Sequence, residues 1–279
     1  MSLPNTVRSG ASFKAELVKG SRTSDNHVIF LPGILTRGPE SVRPIQDTLS
    51  AVGSVWACTY TARRWEISSL AREVAMMTQA IMETGGKVTF FGVSIGGILT
   101  ACVANHLNTR QSAMVRRSFI VDAPYGADTV MLPKPLRSLF ASGSYQLLAG
   151  PVGQGLLAAF RQPPKDLNIE VPFGEDGDAY RAAIKDEAIK NLKGYKWNQY
   201  GSQVAEILKT PYVKGLGGIE ATYIANVGEQ NDTVRQPLAA EGWKSQLPDL
   251  VVHEIPGVAH AGFLEASRTW NEHLARLLA

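Results

Sequence analysis

Residues 88–107 read VTFFGVSIGGILTACVANHL. The apolar run at 88–91 predicts a buried strand, and the pattern after Gly97 predicts a helix. Between them, Ser94 lies in a G-x-S-x-G sequence, which is typical of the sharp turn that lifts a serine hydroxyl above a sheet edge. Glycine is expected at 92 and 96, because a side chain there would collide with the neighbouring strand or helix. The segment therefore predicts a strand–turn–helix unit with Ser94 as the candidate nucleophile.

Strands and helices alternate on both sides of this unit. Strands are predicted at 11–18, 27–31, 55–61, 115–122, 221–227 and 250–255. Helices are predicted at 41–52, 68–83, 237–247 and 266–278. Strands that alternate with helices of this length are typical of an α/β fold with a mostly parallel sheet covered on both faces.

The alternation stops between 123 and 219, a segment rich in proline and aromatic residues. Helical patterns are visible at 136–148, 155–160 and 180–192. A structureless loop of this length would be unusual in a compact domain. We therefore expect a core formed by 1–122 and 220–279, with a helical insertion at 123–219.

Composition restricts the class of protein. The chain is 44% hydrophobic and 19% charged with a formal net charge of +3, which gives no argument for a nucleic-acid partner. It has no run of 18 apolar residues that would predict a membrane span, and the first residues lack the apolar stretch of a secretory signal. Cys58 and Cys102 have the character of small buried hydrophobic residues, without metal-ligand spacing. A cytoplasmic enzyme without metal or cofactor is the expectation.

A serine hydroxyl needs an adjacent base, usually a histidine, to become a nucleophile at neutral pH. His260 is the candidate, because it follows the predicted strand at 250–255 and parallel sheets place their chemistry in loops at the carboxyl ends of strands. The other histidines lie in predicted strands or helices or away from that edge: His27, His106, His253 and His273.

An acidic residue that orients the histidine should directly follow another strand, at the same edge of the sheet. Asp232 follows the predicted strand at 221–227 and is the preferred candidate, with Glu229 as a nearby alternative. Asp122, at the end of the predicted strand at 115–122, is a second acid position that stays open. Such a carboxylate would fix the tautomer of His260 and stabilise the imidazolium.

With these residues in view, the chain resembles the α/β-hydrolase superfamily over nearly its whole length. The likeness rests on the turn at Ser94, the order Ser94, Asp232, His260, and the position of the insertion. It implies an eight-stranded, mostly parallel sheet in a three-layer fold, with a helical cap over the active site. The step from Gly228 to Asp232 is slightly long for the family.

The resemblance also implies an oxyanion hole made of two backbone N–H groups. One would be that of Ile95, directly after the nucleophile. The other would follow the strand ending at Leu31, where relatives often carry His-Gly-x and this chain has Pro32-Gly33-Ile34. By position the second donor is Ile34, with Leu35 as the alternative.

The expected activity is that of a serine hydrolase that cleaves carboxylic esters through an acyl-enzyme. The partner is a small-molecule ester with an apolar acyl or aromatic group. Other chemistry with the same triad stays open: carbon–carbon bond hydrolase, lactonase, thioesterase, acyltransferase or cofactor-free peroxidase. A non-catalytic ligand-binding protein is the alternative from a different class. The sequence predicts neither the natural substrate nor the oligomeric state.

Overall fold

A computed structural model describes residues 6–9, 12–34, 36–148, 150–160, 170–171, 176–183, 186, 196–211, 218–228, 233–260, 262–264 and 266–279. Its centre is one eight-stranded sheet with the strand order β1-β2-β4-β3-β5-β6-β7-β8. Pairs β1·β2 and β2·β4 are antiparallel, and every other pair is parallel. The predicted fold class, a mostly parallel eight-stranded sheet between helical layers, is confirmed.

The strands have the following bounds: β1 Thr6–Ser9, β2 Phe13–Lys19, β3 Asn26–Leu31, β4 Ser54–Tyr60, β5 Lys87–Val93, β6 Val115–Val121, β7 Ala221–Val227 and β8 Val251–Pro256. The helices have the following bounds: α1 Gly38–Val42, α2 Gln46–Ser50, α3 Ile67–Glu83, α4 Ile95–Ala104, α5 Thr109–Ser112, α6 Lys134–Ala141, α7 Pro151–Phe160, α8 Trp197–Ile207, α9 Gln236–Gln246 and α10 Ser267–Leu278. Short 3-10 turns occupy Arg43–Ile45, Ala127–Thr129, Ser144–Leu148 and Gly262–Leu264.

Strand β5 lies inside the sheet and is buried on both faces, which explains its continuous apolar sequence. On one face Phe90 belongs to the core that includes Ile98 and Leu99 of α4. On the other face Phe91 stacks on Phe30 at 5.9 Å and meets Trp270 of α10 edge-on at 6.4 Å. These two cores hold β5, and so the turn that follows it, between two rigid layers.

Two predicted helices are shorter than the sequence pattern suggested. The helix expected at 41–52 is divided by the 3-10 turn Arg43–Ile45, because Pro44 lacks the N–H that a helix interior needs. The helix expected at 136–148 ends at Ala141, and Gly143 turns the chain with a φ of 76° into the next 3-10 turn. Of the helix expected at 180–192, residues 180–183 and 186 are helical, in a segment that begins at 177; 184–185 and 187–192 lie outside the described residues.

Helix α8 was not predicted, although its sequence carries the signal. Its buried residues Trp197, Tyr200, Val204 and Ile207 recur every three or four positions, as on one face of a helix. The segment before α3 holds it in place: the Trp65 N–H donates to Ser202 Oγ at 2.9 Å. This contact ties α8 to the segment that follows β4.

Candidate functional site

Ser94 occupies the turn between β5 and α4. Its backbone has φ 54° and ψ −119°, a conformation that non-glycine residues rarely adopt and that costs about 1–3 kcal/mol. Its own N–H donates to the carbonyl of Val121 at 2.7 Å, which ties the turn to the end of β6. Because α4 begins at Ile95, the free N–H groups of its first turn lie beside the serine.

The glycines of the turn are required by close backbone contacts. A Cβ on Gly96 would lie 2.1 Å from the carbonyl oxygen of Leu31, at the end of β3. A Cβ on Gly92 would lie 2.2 Å from the carbonyl oxygen of Gly96. Helix α4 therefore starts in direct contact with both β3 and β5. The loop after β3 is also close, since a Cβ on Gly33 would lie 3.5 Å from Ser94 Cβ.

Ser94 and His260 line one cavity of about 410 Å³ at the carboxyl edge of the parallel strands. The chain segments that surround it are distant in sequence, and they include the loop after β3, the segment after β6 and helix α8. Its described lining consists of Ile34, Ser94, Pro124, Val130, Met131, Leu132, Tyr200, Val204, Ile207, Thr233, Val234 and His260. None of these side chains except His260 can carry a charge near neutral pH.

His260 lies in the loop after β8, and its side chain is 16% exposed. Its Nδ1 is 3.9 Å from Oδ2 of Asp122. This distance exceeds that of a hydrogen bond, but it lies within the range in which opposite charges attract strongly. Of the three acids considered in the sequence, Asp122 is the one that the described residues bring beside His260.

Asp122 follows β6 directly and is fully buried. Its backbone has a φ of 47°, so a second non-glycine residue at this edge is held in the left-handed region. Asn226, on β7, donates to the carboxylate twice: its backbone N–H to Oδ1 at 2.8 Å and its Nδ2 to Oδ2. Gln236 of α9 donates from Nε2 to Oδ1 at 2.7 Å.

The amide of Gln236 is oriented by Tyr223. The Tyr223 hydroxyl donates to Gln236 Oε1 at 2.8 Å, which leaves the Nε2 side of the amide to face Asp122. Burial is the main cause that raises the pKa of Tyr223 well above its usual value, and the charge of Asp122 adds to it. Asp122 is thus the centre of a buried polar network formed by β6, β7 and α9.

Solved structures share this architecture over nearly their whole length. MenH from S. aureus aligns with a TM-score of 0.64 and 11% identity, with 96% of this chain and 98% of that chain covered. A hydrolase from Pseudomonas aeruginosa PA01 aligns with a TM-score of 0.66 and 14% identity, over 97% and 95%. Carboxylesterase CesB from Bacillus subtilis gives 0.61 and 13%, over 100% and 92%. The chain has the α/β-hydrolase fold.

The likeness extends to the fold and no further, because one fold supports many reactions. No family model matches the sequence, and a search of curated proteins finds no match either. What this α/β-hydrolase fold does in this chain therefore depends on its own residues.

Three residues considered at this site, Asp232, Glu229 and Leu35, lie outside the described residues. The residues that flank 229–232, Gly228 and Thr233, both lie near His260. Gly228 abuts the loop before His260, since a Cβ there would lie 2.7 Å from the carbonyl oxygen of Val258. Thr233 lines the cavity itself. Residue 232 therefore directly precedes a residue of the cavity that holds His260.

Helix α8 supplies cavity residues that the sequence interpretation missed. Tyr200, Val204 and Ile207 lie on the same face of α8, and all three line the cavity that holds Ser94. Burial raises the pKa of Tyr200 to about 12, so its phenol is neutral at physiological pH. The apolar spacing from 197 to 207 could have revealed the helix, but nothing in that spacing indicates which surface it covers.

The remaining residues considered in the sequence lie apart from this chemistry. Cys58 and Cys102 are buried free thiols. His253 and His273 hydrogen-bond each other at 2.9 Å, and His27 Nδ1 accepts from Trp56 Nε1 at 3.0 Å. Among the described residues, no group of three or more His, Cys, Asp or Glu is arranged to hold a metal ion. No helix within the described part of the chain is long and apolar enough to span a membrane.

Proposed function

We propose that this protein is a serine hydrolase that cleaves carboxylic esters through an acyl-enzyme. The observation that carries the proposal is the cavity shared by Ser94, in its strained strand-to-helix turn, and His260. Ser94 Oγ attacks the ester carbonyl carbon while His260 takes its proton. His260 then returns the proton to the departing alcohol, and water, activated by the same imidazole, hydrolyses the acyl-enzyme.

The oxyanion that forms during attack is assigned to the backbone N–H groups of Ile95 and Ile34. Two observations support this assignment. Ile95 is the first residue of α4, where N–H groups lack helical partners. Ile34 lines the cavity, and its neighbour Gly33 lies against Ser94. Each such donor contributes on the order of 10²–10³ in rate.

Asp232 is proposed as the triad acid that hydrogen-bonds His260. It follows β7, and the residues at either end of its loop, Gly228 and Thr233, lie beside the His260 loop and in the cavity. Its carboxylate would hold Nδ1 of the imidazole as the N–H tautomer, which leaves Nε2 free to take the serine proton.

The substrate is proposed to be a small neutral ester with an apolar acyl or aromatic group. The supporting observation is the described lining of the cavity, which is mainly aliphatic and carries no lysine, arginine or carboxylate. A charged acyl group would lose its hydration there without gaining an ionic partner. Residues 123–219 are proposed to form the cap, since α8 from this segment supplies Tyr200, Val204 and Ile207 to the cavity.

Labelling with a fluorescent fluorophosphonate tests the nucleophile and does not require the substrate to be identified. Preincubation of the intact protein with an unlabelled phosphonate should abolish labelling, and peptide mass spectrometry should locate the adduct on Ser94. Ser94→Ala and His260→Ala should not be labelled. Ser112→Ala, a change at a partly exposed position of α5, which has no buried residue, is the matched control and should be labelled like the wild type. Labelling of Ser94→Ala at the wild-type rate would refute the proposal.

A panel of aryl esters, lactones and 1,5-diketones then separates the reactions that share this triad. Ester hydrolysis that exceeds the other two by several orders of magnitude supports the proposed reaction. Turnover of the lactone or diketone alone would keep Ser94 as nucleophile and overturn the ester assignment.

A further inference from the structure

Beneath His260 lies a second carboxylate that the proposed triad does not use. Asp122 is fully buried, and its Oδ2 is 3.9 Å from Nδ1 of the imidazole. Because this separation is too long for a hydrogen bond, the Nδ1 proton can be donated to another acceptor while Asp122 still acts through its charge.

The network around Asp122 favours the ionised form. Two donors from Asn226 and one from Gln236 share the two carboxylate oxygens. Hydrogen bonds donated to a carboxylate stabilise its charged state and compensate part of the cost of burying it. Tyr223 adds to the network, because its hydroxyl fixes the orientation of the Gln236 amide.

The backbone at Asp122 also helps to fix the carboxylate. A φ of 47° is uncommon for non-glycine residues, although aspartate tolerates it better than most. Here the Asp122 N–H donates to the carbonyl of Ile224 at 2.9 Å, and the carboxylate bonds to the next strand and to α9. The carboxylate is therefore held at a defined position next to His260.

We propose that Asp122 is a positioning residue: a buried, ionised carboxylate that stabilises the protonated imidazole of His260 from the β6 side. This role rests on the proposed function, in which His260 takes a proton from Ser94. It is separate from the role of Asp232, since Asp232 would orient the ring through a hydrogen bond, and Asp122 acts through charge across 3.9 Å.

Two phenols lie near this pair in the described part of the chain. Tyr200 of α8 lines the same cavity, but it is neutral because burial raises its pKa to about 12. Tyr223 of β7 is neutral for the same reason. Asp232 and Glu229, which follow β7 in the sequence, are the other acids considered as partners of His260. Asp122 is thus a charged group of the described chain that lies 3.9 Å from the imidazole.

The test is a pH titration of His260 monitored by NMR. The full chain carries isotope-labelled histidine, and the His260 signal is assigned by its loss in His260→Gln. In Asp122→Asn the midpoint should fall by at least about 0.5 pH unit, because a negative charge next to the imidazolium is removed. The acid limb of the kcat/KM profile should move by the same amount. Gln236→Met is the matched control: it removes a hydrogen bond but leaves the carboxylate, so the midpoint should move by less than about 0.2 pH unit.

An unchanged midpoint in a folded Asp122→Asn chain would overturn the proposal, even if activity fell, because a merely structural role changes rate without changing the titration. If that variant does not fold, Asp232→Asn decides the matter. With the Asp122 charge still present, its His260 midpoint should stay within about 1 pH unit of the wild-type midpoint, and a larger fall would contradict the proposal. Absence of esterase activity in the wild type would refute the proposed function but leave this titration measurable.

Discussion

The contact between α4 and β3 predicts that Gly96→Ala destabilises the fold and displaces the nucleophile. The new Cβ would lie 2.1 Å from the carbonyl oxygen of Leu31, 2.6 Å from its carbonyl carbon and 2.7 Å from the carbonyl oxygen of Pro32. All three atoms belong to the backbone, so no side chain can move aside. Relief requires α4 to separate from β3 by about 1 Å, which is of the order of the shortfall from ordinary van der Waals contact.

Overpacking of a core costs about 1–3 kcal/mol, and contact with backbone atoms alone favours the upper value of about 3 kcal/mol. In a protein of this size, that loss lowers Tm by roughly 6–12 °C. Because Ser94 precedes α4 directly, a displacement of about 1 Å should also reduce kcat/KM by about 10²-fold. Thermal unfolding followed by circular dichroism measures the first effect, and ester hydrolysis measures the second.

Gly155→Ala is the matched control for this substitution. Gly155 is exposed on α7, and a Cβ there meets no atom within 4 Å. The change should leave Tm unchanged or raise stability by up to about 1 kcal/mol, because alanine favours the helix. A Gly96→Ala variant that melted within about 2 °C of the wild type and kept its activity would contradict the close packing of α4 on β3.

Two further predictions follow from buried ionisable groups. Burial raises the pKa of Tyr200 to about 12, so its phenol stays neutral in the folded chain but ionises in the unfolded chain above about pH 10. The free energy of unfolding measured in urea should therefore decline from pH 10 to 12, with a shallower slope in Tyr200→Phe. An equal slope in both proteins would contradict this. Burial also raises the pKa of Cys102 to about 11, and that of Cys58 still further. Ellman's reagent at pH 8 should therefore find no reactive thiol in the native protein and two in guanidinium. Rapid labelling of the native protein would contradict this prediction.

Much of the fold could be predicted because its signals are local. The strand–turn–helix at Ser94 and the alternating apolar runs depend on near neighbours along the chain, and they predicted the parallel sheet. The strand bounds agree to within one or two residues at most positions. Pro44 could have indicated that the helix expected at 41–52 would be interrupted, since its missing N–H is visible in the sequence.

The arrangement around His260 depends on contacts between distant segments and could not be predicted in the same way. Asn226 and Gln236 bind Asp122 across 104 and 114 positions of sequence, respectively. Asn226 was visible as a polar residue inside an apolar strand, which indicates a buried partner but not its identity. Likewise, the apolar face of α8 could be read from spacing, whereas its position above Ser94 depends on tertiary packing.

The role of Ser94 as the nucleophile of an ester hydrolase is tested most directly by kcat/KM for p-nitrophenyl butyrate. The measurement runs from pH 5 to 9, for the wild type and for Ser94→Ala. We predict measurable turnover by the wild type that declines at acid pH as His260 becomes protonated, and a loss of at least about 10³-fold in Ser94→Ala. Equal rates for the two proteins across this pH range would contradict the account.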